Sequence, residues 1–171
     1  MELILVGIGD CRASRTEQAR LITYALGSCI GMTVWDPVVK VGGLLHYLLP
    51  DSNLGSGRGS NPALYADTGI PMLLRKCFEL GACRERLIIR AAGGARILSP
   101  MTQFDVGNQN QAGMRKSLRE LGLAVQASAT GGTECRTISL DVTSGVMRIR
   151  EGGAPWKELT ASRRVGLSAT R

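Results

Sequence analysis

Apolar and polar residues alternate along much of this chain, and that spacing predicts mainly strands. Leu3 to Ile8 reads as a short strand ending at Gly9. Residues 21–35 and 41–49 read as two longer strands around a turn at Asp36-Pro37-Val38-Val39. Pro37 has its φ preset for the first central position of a type I turn, and Asp36 offers a side-chain acceptor. Leu87 to Ala92 has the character of a buried strand and leads into Gly93-Gly94, and Val125 to Ala129 is another strand. Thr137–Val142 and Val146–Arg150 predict a hairpin over Thr143-Ser144-Gly145, with Ile138, Leu140 and Val142 alternating.

Two stretches change to helical spacing. Ile70, Leu73, Leu74, Cys77 and Phe78 mark one helix face, with Pro71 placed in the first turn and Gly81 as the stop. A second helix is expected from about Gln111 to Leu121, stopped by Gly122. Strands outnumber helices, so the expected class is α+β, with layered sheets and helices outside them in a single domain over residues 1–151. The Gly-rich segment Ser52 to Ser60 lacks the Gly-Lys-Ser/Thr ending of a phosphate loop and reads as a flexible lid or connector. Gly152 to Arg171 reads as a basic, loosely held tail.

Composition narrows the function classes. The first apolar run is short and carries Glu2 where a signal peptide would be basic, and no later run approaches ~18 residues, so a soluble cytoplasmic protein without membrane insertion is expected. The five cysteines include no C-x-x-C pair, which argues against a disulfide framework, and a single histidine argues against zinc. No cofactor is expected. The net charge of +7 favours an acidic partner, but no nucleic-acid-binding motif accompanies it, so nucleic acid is not the expected one.

The most informative feature is the predicted hairpin. A loop centred between Pro37 and Val38 places Cys29 directly opposite His46, within thiol-to-imidazole reach. Ile30, Met32, Val34, Val41 and Leu45 then share a core face, whereas Cys29, Gly31, Thr33, Gly42 and His46 share a smaller, more polar face that would form an open floor. Thr23 falls on the site face if the strand has no bulge. An adjacent imidazole favours the thiolate and makes a cysteine nucleophilic, and a hydroxyl can hold the ring in orientation.

The run Thr23-Tyr24-Ala25-Leu26-Gly27-Ser28-Cys29, followed by Gly43-Leu44-Leu45-His46-Tyr47-Leu48-Leu49-Pro50-Asp51-Ser52, closely resembles the CheD family of chemoreceptor glutamine deamidases. Val6-Gly7-Ile8-Gly9, Asn61-Pro62 with Tyr65 and Asp67, and Gly93-Gly94-Ala95 extend the resemblance, which covers about residues 3–150. It implies a layered α/β/β/α sandwich and a catalytic triad of Cys29, His46 and Thr23, with Ser28 either donating to the oxyanion or shaping the turn. The implied reaction is hydrolysis of receptor glutamines to glutamate, and the implied partners are chemoreceptor cytoplasmic domains and a CheC-type phosphatase. A monomer is expected. Two segments depart from the family pattern: Val106-Gly107-Asn108-Gln109-Asn110 lacks its Arg, and the stretch Ala129 to Arg136 lacks its Asp and last Gly. The alternative reading is a non-enzymatic adaptor that binds the phosphatase or receptor.

Overall fold

The computed structural model describes residues 1–55, 61–97 and 105–160. The expected lid at 52–60 and the tail therefore lie partly outside the described residues. Among the described residues, ten strands form two five-stranded mixed sheets. The first contains β1 (Glu2–Leu5), β3 (Ala19–Leu26), β8 (Arg136–Asp141), β9 (Met147–Glu151) and β10 (Lys157–Glu158), in that spatial order. The second runs β2 (Asp10–Ser14), β5 (Val41–Tyr47), β4 (Ile30–Asp36), β6 (Ile88–Gly93) and β7 (Ala127–Thr130). The β8–β9 hairpin falls where the alternation of Ile138 and Leu140 places it. The short strands β2 and β10 have too few apolar positions to register as a pattern.

The expected strand over 21–35 is two strands belonging to different sheets. Pairing of β3 with β8 slips between Thr23 and Leu26, and Ala25 has φ +58, a conformation few side chains adopt. The chain leaves the first sheet after Leu26, bends through Gly27-Ser28-Cys29 and enters the second at Ile30.

The turn between β4 and β5 corrects the expected register. Asp36 Oδ1 accepts from the backbone N–H of Val38 and Val39, and Lys40 takes φ +54. The loop therefore spans residues 37–40, and His46 faces Gly31 rather than Cys29. A slip of two residues keeps every side chain on its predicted face. Asp36 is fully buried. Burial alone would raise its carboxyl pKa, but Arg86 and the N–H groups of Cys83, Val38 and Val39 outweigh that and hold it well below the usual carboxylate range.

Each face of the second sheet is covered. On one side Met32, Val34 and Leu45 pack against α1 (Ala66–Glu79) and α2 (Val106–Glu120) through Ile70, Leu73, Met114 and Leu118. On the other, Trp35 and Leu44 meet Leu21, Leu26, Ile138, Leu140 and Ile149 of the first sheet. The face expected to be an open floor is thus the interface between the sheets. Both helices pack on the second sheet; a helical layer outside the first, as the resemblance implies, is not among the described residues. Pro71 stands in the second turn of α1 rather than the first, because the Ala66 N–H bonds to the Leu49 carbonyl and starts the helix earlier. In the same way Asp105 accepts from Asn108 N–H and begins α2 ahead of Gln111.

Gly93, with φ +110, closes the second sheet beside the bend. A Cβ there would stand 2.1 Å from the Cys29 carbonyl oxygen, a backbone atom that cannot move aside. Gly93→Ala is expected to cost roughly 2–3 kcal/mol, seen as a fall of ~5–10 °C in Tm by circular dichroism. An unchanged Tm would contradict this packing.

Candidate active site

Thr23, Cys29 and His46 come from three strands or strand ends, and the change of sheet brings them together. Thr23 lies on β3 with its side chain fully buried against the second sheet. His46 lies on β5, between Gly31 of β4 and Asp10 of β2. Thr23 Oγ1 and His46 Nδ1 are 2.7 Å apart. The contact therefore crosses the sheet interface instead of lying within one hairpin, as the sequence pattern suggested. Gly31 permits it: a Cβ there would meet Ile138 Cδ1 at 2.7 Å and Leu26 Cδ1 at 2.8 Å.

Cys29 occupies the bend immediately before β4, diagonal to His46 and on the same side of the sheet. It is 7% exposed, and no hydrogen bond joins its Sγ to His46. The bend is pinned from outside. Ala95 N–H donates to the Gly27 carbonyl (2.9 Å) and Gly94 N–H to the Cys29 carbonyl (2.8 Å). Asn110 Nδ2 donates to the Ser28 carbonyl (2.8 Å). Ser28 is half-buried and part of this bend.

Burial dominates the electrostatics. It lowers the His46 pKa from 6.5 to about 4. It also raises that of Cys29, partly offset by the residue's own backbone N–H. The expectation of a thiolate stabilised by its neighbour is therefore not met at rest: the pair is a neutral thiol and a neutral imidazole. An uncharged hydroxyl orients the ring, where a carboxylate would have raised its pKa. His46 Nε2 is buried and has no partner among the described residues. When Nδ1–H donates to Thr23, Nε2 carries the free lone pair, the state required of a base.

The other cysteines fill other roles. Cys77 is a core residue as expected, Cys11 is also buried, Cys83 is half-buried and Cys135 is exposed; all five thiols are free. Among the described residues, no group of three or more His, Cys, Asp or Glu side chains comes together to hold a metal. Sequence reasoning missed Asn110 and the two glycines Gly93 and Gly94 as parts of the site wall, although both segments stood out in the resemblance.

The chain is similar to known proteins over most of its length. Residues 48–151 match the family model described as CheD chemotactic sensory transduction. A probable chemoreceptor glutamine deamidase CheD of Solibacter usitatus is 46% identical, with 95% of this chain and 96% of the relative covered. Its counterpart CheD 1 of Syntrophus aciditrophicus is 41% identical over 91% of this chain and 98% of the relative. One from Pyrococcus abyssi is 42% identical over 86% and 91%.

The depressed His46 pKa makes a signed prediction. The neutral ring is favoured by folding, so its stability contribution is complete above the unfolded pKa of 6.5 and is lost as pH falls towards about 4. NMR of the only histidine should show no titration between pH 8 and ~5.5, and stability should decline by roughly 3 kcal/mol across the lower window. A ring that titrates near 6.5 would contradict the buried, unpaired site.

Proposed function

Since this chain belongs to the CheD family, we propose that it hydrolyses glutamine side chains of chemoreceptor cytoplasmic domains to glutamate, using Cys29, His46 and Thr23. The observation that carries the reading is the buried His46 ring, tied at Nδ1 to Thr23 and unpartnered at Nε2. A buried polar atom left without a partner has a cost in stability, and such atoms are retained where chemistry uses them.

Cys29 Sγ adds to the carboxamide carbon while His46 Nε2 takes the thiol proton. The amide C=O becomes an oxyanion. When the tetrahedral intermediate collapses, His46 returns its proton to the nitrogen and ammonia leaves, forming a thioester on Cys29. Water then adds to the thioester carbon, with its proton going to His46. Collapse expels the thiolate, which regains that proton, and glutamate is released. The low pKa of His46 suits it to return the proton quickly, and the Thr23 hydroxyl holds the ring so that Nε2 faces the nucleophile. The thiol meets Nε2 when substrate is bound, since catalytic hydrogen bonds are often longer in the free enzyme.

The net charge of +7 steers the protein towards acidic receptor surfaces. Monomeric action and a CheC-type phosphatase as regulatory partner belong to the same proposal. The protein works on the cytoplasmic side, and no helix among the described residues is long and apolar enough to cross a membrane.

Intact-mass analysis of a receptor cytoplasmic fragment tests the reading. Wild type should add ~1 Da per modified glutamine, and Cys29→Ala should abolish the gain because no thioester forms. Thr23→Ala should retain the nucleophile and lower kcat by roughly 10- to 100-fold through loss of ring orientation. Deamidation by Cys29→Ala at the wild-type rate would refute the mechanism, and a wild type that leaves the fragment's mass unchanged would favour an adaptor role.

A further inference from the structure

Asn110 is the most deeply buried of the polar side chains that α2 turns inward, with Gln111 and Ser117 the others among the described residues. It is fully buried on the inner side of α2, near the core residues Met114 and Leu118. Burying an amide is unfavourable unless its groups are bonded. Its Nδ2 donates to two carbonyls, Ser28 at 2.8 Å and Leu48 at 2.9 Å. Its own carbonyl accepts from Tyr47 OH at 2.6 Å. Asn110 Oδ1 is buried and unpartnered among the described residues. The amide is thus placed for its two donors, at the expense of its acceptor.

Both accepting carbonyls flank the site. One belongs to the Ser28–Cys29 peptide, and the other lies two residues beyond His46. A peptide unit is planar and trans, so turning the Ser28 carbonyl into α2 turns the Cys29 N–H the opposite way. Among the described residues that N–H donates to no other residue, and the Ser28 N–H has no acceptor either. The Cys29 N–H lies near the residue's own thiol. The neighbouring side chain Gln111 acts similarly one step away: its Nε2 donates to the Gly94 carbonyl at 2.9 Å, and Gly94 N–H holds the Cys29 carbonyl.

We infer that Asn110 is a positioning residue that aims the Cys29 N–H at the oxyanion formed when the thiol adds to the glutamine carboxamide. The inference rests on the deamidase reading. Preorganised donors at that oxygen matter most when charge develops, so their misalignment lowers kcat rather than substrate binding. Alkylation of Cys29 by iodoacetamide is a displacement at carbon that creates no such oxyanion, so it reports the thiol without the donor.

The test compares wild type, Asn110→Ala and Tyr47→Phe as full-length proteins. Deamidation kinetics on a receptor cytoplasmic fragment are measured beside the rate of Cys29 alkylation at about pH 9, located by peptide mapping. Asn110→Ala is expected to lower kcat roughly 10- to 100-fold, with KM and the alkylation rate each within about twofold of wild type. Tyr47→Phe keeps the ring and loses only the hydroxyl bonded to the Asn110 carbonyl. It should show the same split with a several-fold smaller loss, and it decides the matter if Asn110→Ala does not fold. An undiminished kcat in the folded variant overturns the inference. So does a parallel fall in alkylation, which would mark Asn110 as structural only. A wild type that alkylates normally yet deamidates nothing removes the deamidase reading, and this inference with it.

Discussion

A histidine buried without charge between two sheets is the constraint on which the other features of this site depend. A protonated imidazole in that interface would lack a counter-charge, since only the Thr23 hydroxyl meets its Nδ1. The sheets must therefore pack closely enough to exclude water and leave the ring neutral. Gly31 and Gly42 make that possible, because Leu26, Ile138, Leu140 and Val142 occupy the space their side chains would need. The same packing that stabilises the fold thus favours the neutral form of the His46 ring.

The second requirement is a nucleophile that can approach this ring. The proposed one, Cys29, stands where the chain changes sheets, at Gly27-Ser28-Cys29. A regular strand satisfies its own N–H groups through its ladder, whereas in this bend, among the described residues, the N–H groups of Ser28 and Cys29 meet no acceptor in another residue, and the bend is held through its carbonyls by Ala95, Asn110 and Gly94. The left-handed backbone of Ala25, just before the bend, marks the strain of making that crossing.

Much of this was legible in the residues, and the failures have physical causes. Alternation assigned the faces of β4 and β5 correctly, and a two-residue error in register left them unchanged. The error arose because Asp36 extends the turn through Val39 and Lys40, a tertiary arrangement that also depends on Arg86 and Cys83. The break between β3 and β4 was hidden because both flanks are apolar, and only Gly27 signalled it. Small residues at 29, 31, 33 and 42 looked like an open floor. They instead admit a second sheet, a distinction that no single-strand pattern contains. Asn110 carried no periodic signal, because its importance comes from backbone groups far away in sequence.

The central claim is that Cys29 becomes acylated by a glutamine side chain. Wild-type protein mixed with a receptor cytoplasmic fragment, quenched in acid within a turnover and examined intact, tests it most directly. The account predicts a covalent species at the summed mass of the two proteins less ~17 Da for ammonia, mapping to Cys29 and released by hydroxylamine. Conversion of glutamine to glutamate with no such adduct under any quench time, and with Cys29 still free to alkylate, would contradict it.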